Sequence, residues 1–176
     1  MGKVVNMAKA KMTKDTIPQD FTIGLALVDA LPVLFFMLAC LFAYLATSAI
    51  AILIGGIIAF ISGLIKVIWK MIVALKKKNV WWMFLQMRFA LPVGMFLALV
   101  GFICWACFAN EPNVLANFGN VTSIVFYVLT LVGMSAMVVC SIKLDSSNKR
   151  ANWIEQICNS FAEFCLFIAC LVAFLQ

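Results

Sequence analysis

Residues 49–78 read AIAILIGGIIAFISGLIKVIWKMIVALKKK. From about Ala49 to Leu75 this run carries only Ser62, Lys66 and Lys70 as polar side chains, and it ends on Lys76-Lys77-Lys78. About 20 apolar residues are enough to cross the hydrocarbon core as a helix, and lysines gather at the cytoplasmic end of such segments. Working outward from this stretch, apolar runs of similar length recur at about 21–46, 80–108, 121–142 and 152–175. The expected fold class is therefore an all-α integral membrane protein, a polytopic bundle of five transmembrane helices. Residues 17–176 form its single transmembrane domain, with spans at about 21–46, 49–75, 80–108, 121–142 and 152–175. Residues 1–16 form a basic N-terminal segment with neither an apolar core nor a cleavage pattern, and so do not read as a signal peptide. No charge separates the first two runs, yet one helix through both would far overshoot the bilayer. The small stretch Ala46-Thr47-Ser48 is the expected turn.

Composition supports the same architecture. Of 176 residues, 66% are hydrophobic and 11% charged, against about 45–50% and about 25% in soluble domains. Mean hydropathy is +1.12. The net charge of +6 comes from short basic clusters between apolar runs, at Lys3 to Lys14, Lys76 to Lys78, and Lys143 with Lys149 and Arg150. This pattern suits cytoplasmic loops and argues against nucleic acid as a partner, since no basic, aromatic-interleaved folded segment exists. Five crossings put every cluster on one side, with the N-terminus in the cytoplasm and the C-terminus outside a cell membrane. Trp69, Trp81, Trp82 and Trp153 then fall at the inner interface and Trp105 at the outer one. The chain has no histidine, and its seven cysteines all lie in apolar runs. No catalytic residue, metal site or cofactor is expected.

Ala30-Leu31-Pro32-Val33 in the first span recurs as Ala90-Leu91-Pro92-Val93 in the third. Both spans run in the same direction, so the echo is compatible with a duplicated two-helix unit or with chance in Leu- and Ala-rich helices.

Charges inside spans are costly and usually face the bundle interior. Asp29 and Arg88 each lie about 12 Å in from the start of parallel spans, so an Asp29–Arg88 ion pair is expected. Glu163 falls near the middle of the last span, and Glu155, Asn159 and Glu163 form one stripe. Such a stripe reads either as a cation or proton pathway or as a hydrogen-bonded structural carboxyl. Ser123, Tyr127 and Thr130 form a one-face set on the fourth span that could join it. Thr47, Ala51, Gly55, Ala59 and Gly63 put a small residue at every fourth position of the second span, a helix-packing stripe for this chain or a second subunit. Lys66 and Lys70 are expected to snorkel to the headgroups, with binding of anionic lipid as the alternative. Cys104 and Cys107 match C-x-x-C, a candidate redox pair with no basic residue nearby to activate a thiol.

The leading functional expectation is a small multi-pass transporter or channel, or a membrane subunit of one, moving an ion or small solute. Its partners would be the lipid bilayer, that solute, and a homo-oligomer or partner membrane subunit. The substrate pathway would use Glu163, Asn159, Glu155, Asp29, Arg88, Tyr127 and Thr130. The alternatives are a non-transporting accessory or assembly protein, and a thiol-disulfide oxidoreductase using Cys104 and Cys107.

Overall fold

A computed structural model of the protein describes residues 22–108, 112–143 and 149–176. The expected basic leader, Asn110-Glu111, and the loop Asp145 to Asn148 lie outside the described residues. Eight helices follow in order: α1 (Ile23–Val28), α2 (Ala30–Thr47), α3 (Ile50–Lys76), α4 (Trp81–Met87), α5 (Ala90–Phe108), α6 (Pro112–Phe118), α7 (Val121–Lys143) and α8 (Lys149–Leu175). They build five helices long and apolar enough to cross a membrane: Ile23–Thr47, Ile50–Lys76, Trp81–Phe108, Val121–Cys140 and Arg150–Leu175. The chain is an all-α membrane bundle.

Two of the five spans are interrupted, and by the same device. Asp29 separates α1 from α2, and Arg88-Phe89 separates α4 from α5. In each case proline is the third residue of the second helix, as Pro32 and Pro92. Proline has no N–H, and its ring crowds the carbonyl four residues earlier, here that of Val28 or Arg88. At the second break the amides of Arg88 and Phe89 reach back only three residues, to Leu85 and Gln86, both at 3.1 Å. The Ala-Leu-Pro-Val echo thus marks two proline-linked breaks, although at the first the Asp29 amide still reaches back four residues, to Leu25 at 3.0 Å.

The first hairpin turns within two residues. Thr47 Oγ1 donates to the Ala43 carbonyl at 2.7 Å and accepts from the Ala49 amide at 3.3 Å. Ser48 then adopts φ 57°, ending α2 as its amide donates to Tyr44 O. At the other end of α3, Lys77 takes the same left-handed conformation with φ 49°. The basic residues there sit well beside the partial negative charge of a helix C-terminus. Between the third and fourth spans lies a short helix, α6, in place of an open loop, with Pro112 at its first position.

The long helices pack as a curved ribbon in the order α7–α8–α2–α3–α5, each against the next, while α5 and α7 make no extended contact. Small residues set the closest approach. A methyl added to Gly94 would lie 2.8 Å from the Gly55 carbonyl, and one added to Gly101 would lie 2.8 Å from Ala51 Cβ. The stripe of Ala51, Gly55 and Ala59 on α3 therefore meets a matching stripe of Gly94, Ala98 and Gly101 on α5 within the same chain. Gly63 instead receives Val33 of α2, and Gly133 of α7 receives Ala162 of α8. Without a hydrophobic drive between helices in lipid, such backbone proximity is the main source of packing energy. Ser62 Oγ donates to Gln86 Oε1 at 3.0 Å, tying α3 to α4.

Aromatic clusters close the bundle at both ends. Trp69, Trp81 and Phe84 pack together at the end bearing Lys76 to Lys78, and Trp69 Nε1 donates to Asn79 Oδ1 at 3.1 Å. At the opposite end Phe118 of α6 is buried against Phe102 and Trp105, with ring centroids 5.1 and 5.7 Å away.

Candidate functional site

Asp29 stands at the first helix break with 0% of its surface exposed. Its Oδ1 accepts from Lys66 Nζ at 2.9 Å, and its Oδ2 faces Lys70 Nζ at 3.0 Å. Both lysines come from α3 one turn apart, so one carboxylate holds two turns of the neighbouring helix. Glu155 of α8 also acts electrostatically on Lys70. This arrangement corrects two expectations. Lys66 and Lys70 turn inward instead of snorkelling outward. Arg88 does not pair with Asp29: it is exposed, with Cζ 4.7 Å above the Phe84 ring. The reason is neighbour order. The first span packs on α3 and α8, whereas among the long helices α4 and α5 pack chiefly on α3, so equal depth does not bring Asp29 and Arg88 together.

Glu163 is provisioned in the opposite way. It is 5% exposed, and its Oε2 is buried with no hydrogen-bond partner among the described residues. Two further acceptors on the same helix, Gln156 Oε1 and Ser160 Oγ, are also buried without a partner. Positions 156, 160 and 163 share one face of α8. Unsatisfied polar atoms cost several kcal/mol each away from water.

Glu163 and Asn159 line a cavity of about 260 Å³. Around it stand Pro32 and Val33 from the first turn of α2, Leu91 from the first turn of α5, Lys66 from α3, and Met134 and Met137 from α7. Every span contributes, and the two interrupted helices reach it where they restart. A second cavity of about 290 Å³ adjoins it toward the α6 end and is almost wholly apolar. The two share Phe36 and Met95 as lining. Cys40, Cys170 and Tyr127 also border the apolar chamber, where Tyr127 interacts with Cys170.

The remaining sequence candidates separate. Tyr127 belongs to the apolar chamber, and Thr130 is satisfied within its own helix, donating to the Phe126 carbonyl at 2.9 Å. Ser123 joins α7 to α8, donating to Ala169 O at 3.1 Å. Glu155 acts on the Asp29 cluster, away from the Asn159–Glu163 cavity. Cys104 and Cys107 are free and exposed. Among the described residues no group of His, Cys, Asp or Glu is arranged to hold a metal ion. Sequence reasoning missed Met95, Met134 and Met137, whose thioethers have no distinguishing pattern in a chain of ten methionines. It also missed Lys66 and Lys70 as partners of Asp29, although the same depth arithmetic applied to the antiparallel second span finds them.

Fold and site together define a polytopic helical membrane protein with one ion-paired and one unpaired buried carboxylate. Comparison with family models, with curated proteins and with solved structures gives no match.

Proposed function

We propose that this protein moves a small cation, or a solute that carries a proton, across the cell membrane, with Glu163 as its binding carboxylate. The observation that carries this reading is the unpartnered Glu163 carboxylate lining a cavity to which all five spans contribute. A bare carboxylate in such surroundings costs several kcal/mol, so the position favours either a proton or a cation. Interrupted hydrophobic helices in corresponding positions point to substrate sites in transporters, because the freed backbone groups must line a cavity. Pro32 and Leu91 supply that feature here, with Asn159 as a neutral second ligand. The lysine clusters support an orientation with the N-terminus and Lys76 to Lys78 in the cytoplasm and Gln176 outside.

The accessory-protein reading loses its main support, since α5 occupies most of the small-residue stripe on α3. A flux assay in proteoliposomes, with a pH-sensitive dye and an imposed cation gradient, tests the proposal. Glu163→Gln should insert and remain folded while flux falls at least about tenfold, the value of a lost charged contact. Full flux in Glu163→Leu would overturn the assignment.

A further inference from the structure

The apolar chamber has no evident use for a small hydrated cation. It adjoins the Glu163 cavity at Phe36 and Met95 and runs toward Cys170, seven residues or about 10 Å further along α8. Its far end is closed by the Phe102, Trp105 and Phe118 cluster, with α6 supplying the plug. Both chambers draw their lining from α5 and α7, the two edges of the ribbon, and those edges make no extended contact. The flanking side chains on each edge, among them Phe96, Leu99, Leu131 and Val132, are exposed apolar groups suited to lipid. The chambers are therefore reached more readily from the hydrocarbon layer than from water at the α6 end.

We infer that the site takes a membrane-dissolved amphiphilic cation, an alkylammonium head at Glu163 with its chain in the apolar chamber, entering between α5 and α7. This rests on the reading of Glu163 as a cation ligand and adds the substrate class. The head meets the Glu163 carboxylate on the cavity wall, with Asn159 beside it. Lys66 lines the same cavity but is held by Asp29. The chain meets Ala39, Ala43, Leu166 and Leu99. Thioethers of Met95, Met134 and Met137 surround the head region with flexible, polarizable contacts that adapt to ligands of different shape.

The test is equilibrium binding of radiolabelled octylammonium to the full chain in lipid nanodiscs, with empty nanodiscs subtracted. Saturable binding is expected, displaced by unlabelled octylammonium but not by octanol or methylammonium at equal concentration. Glu163→Gln should weaken it at least about tenfold. Leu99→Trp and, as a second variant, Cys170→Leu should weaken it by occupying the chamber, and circular dichroism should confirm that each retains its helices. Flux in proteoliposomes runs alongside. If inorganic cations move through Glu163 but octylammonium shows no saturable binding, the amphiphile assignment is overturned and the transport reading survives. Saturable, Glu163-dependent binding without flux supports the ligand class and overturns transport. Octanol displacing as well as octylammonium would show a site that ignores charge, and would overturn the proposal.

Discussion

Replacing Asp29 by Asn leaves the size of the side chain nearly unchanged and removes the charge that two lysines share. The contacts are 2.9 and 3.0 Å. With an effective dielectric near 20, each is worth about 5–6 kcal/mol of attraction. Desolvating three ions costs several kcal/mol apiece, so the intact cluster contributes little net stability. Its removal is asymmetric. Lys66 keeps 19% of its side chain exposed and can swing outward, but Lys70 keeps 8% and cannot do so without disturbing α3. The loss on Asp29→Asn should therefore be that of one broken buried pair, about 3–5 kcal/mol. Adding Lys70→Met removes the buried cation that faced Asp29 and should recover about 1–3 kcal/mol of it, a coupling typical of direct partners. Arg88→Gln is the control: combined with Asp29→Asn its effect should add within about 0.5 kcal/mol, because the two residues belong to different contacts. SDS-titrated unfolding of the purified protein, followed by circular dichroism, measures all three legs. Additivity between Asp29 and Lys70, or coupling between Asp29 and Arg88, would refute the account.

The other expectations follow the same logic. Gly94→Val should destabilise the fold by more than the roughly 1–3 kcal/mol of ordinary overpacking, because its Cβ would meet rigid backbone of Gly55 and Ala59. Leu99→Ile, at an exposed position of the same helix, is the control, and a Gly94→Val protein as stable as this control would refute the glycine seam. Ser62→Ala should cost about 1–3 kcal/mol by stranding Gln86 Oε1, and an unchanged unfolding midpoint would show that α3 and α4 are not joined there. Maleimide labelling of Cys104 and Cys107 should proceed readily and leave flux intact, whereas loss of flux reversed by reductant would revive the thiol reading. Reporter fusions at residue 78 and at Gln176 should report cytoplasm and exterior respectively, and a cytoplasmic Gln176 would overturn the proposed orientation.

The helical membrane architecture was legible because the bilayer imposes it: an apolar run of the right length has few other uses, and the lysines that end such runs are visible at a glance. The interruption of the first and third spans was half legible. Two Ala-Leu-Pro-Val sequences were there to be seen, but the break became evident only with Asp29 and Arg88 at the ends of short helices. Partner choice for charges was not legible from depth alone. Asp29 lies six residues past Ile23 and Lys70 six residues before Lys76, so both are about 9 Å from their helix ends. Arg88 satisfied the same arithmetic. What separates them is which helix stands beside which, and that order depends on small-residue faces whose azimuth one sequence leaves open. Gly55 could equally have faced a second chain, and Gly94 and Gly101 on α5 carry the information that it does not.

The contrast between the two buried carboxylates bears most directly on function. Glu163 does not lack a partner because the bundle is short of cations. Lys66 lines the same cavity, and its ammonium is spent on an aspartate that already has a second lysine. A structural arrangement could have given one lysine to each carboxylate and left no buried charge unmatched. Instead two cations are held on Asp29 at the edge of the cavity, with Glu155 acting on the second of them. The lysine that shares the cavity with Glu163 is thereby fixed in another contact, and three acceptor oxygens on α8 have no partner among the described residues. In a low-dielectric interior an unmatched polar group costs several kcal/mol, and this contrast with Asp29 is what the proposed role of Glu163 as a cation ligand rests on.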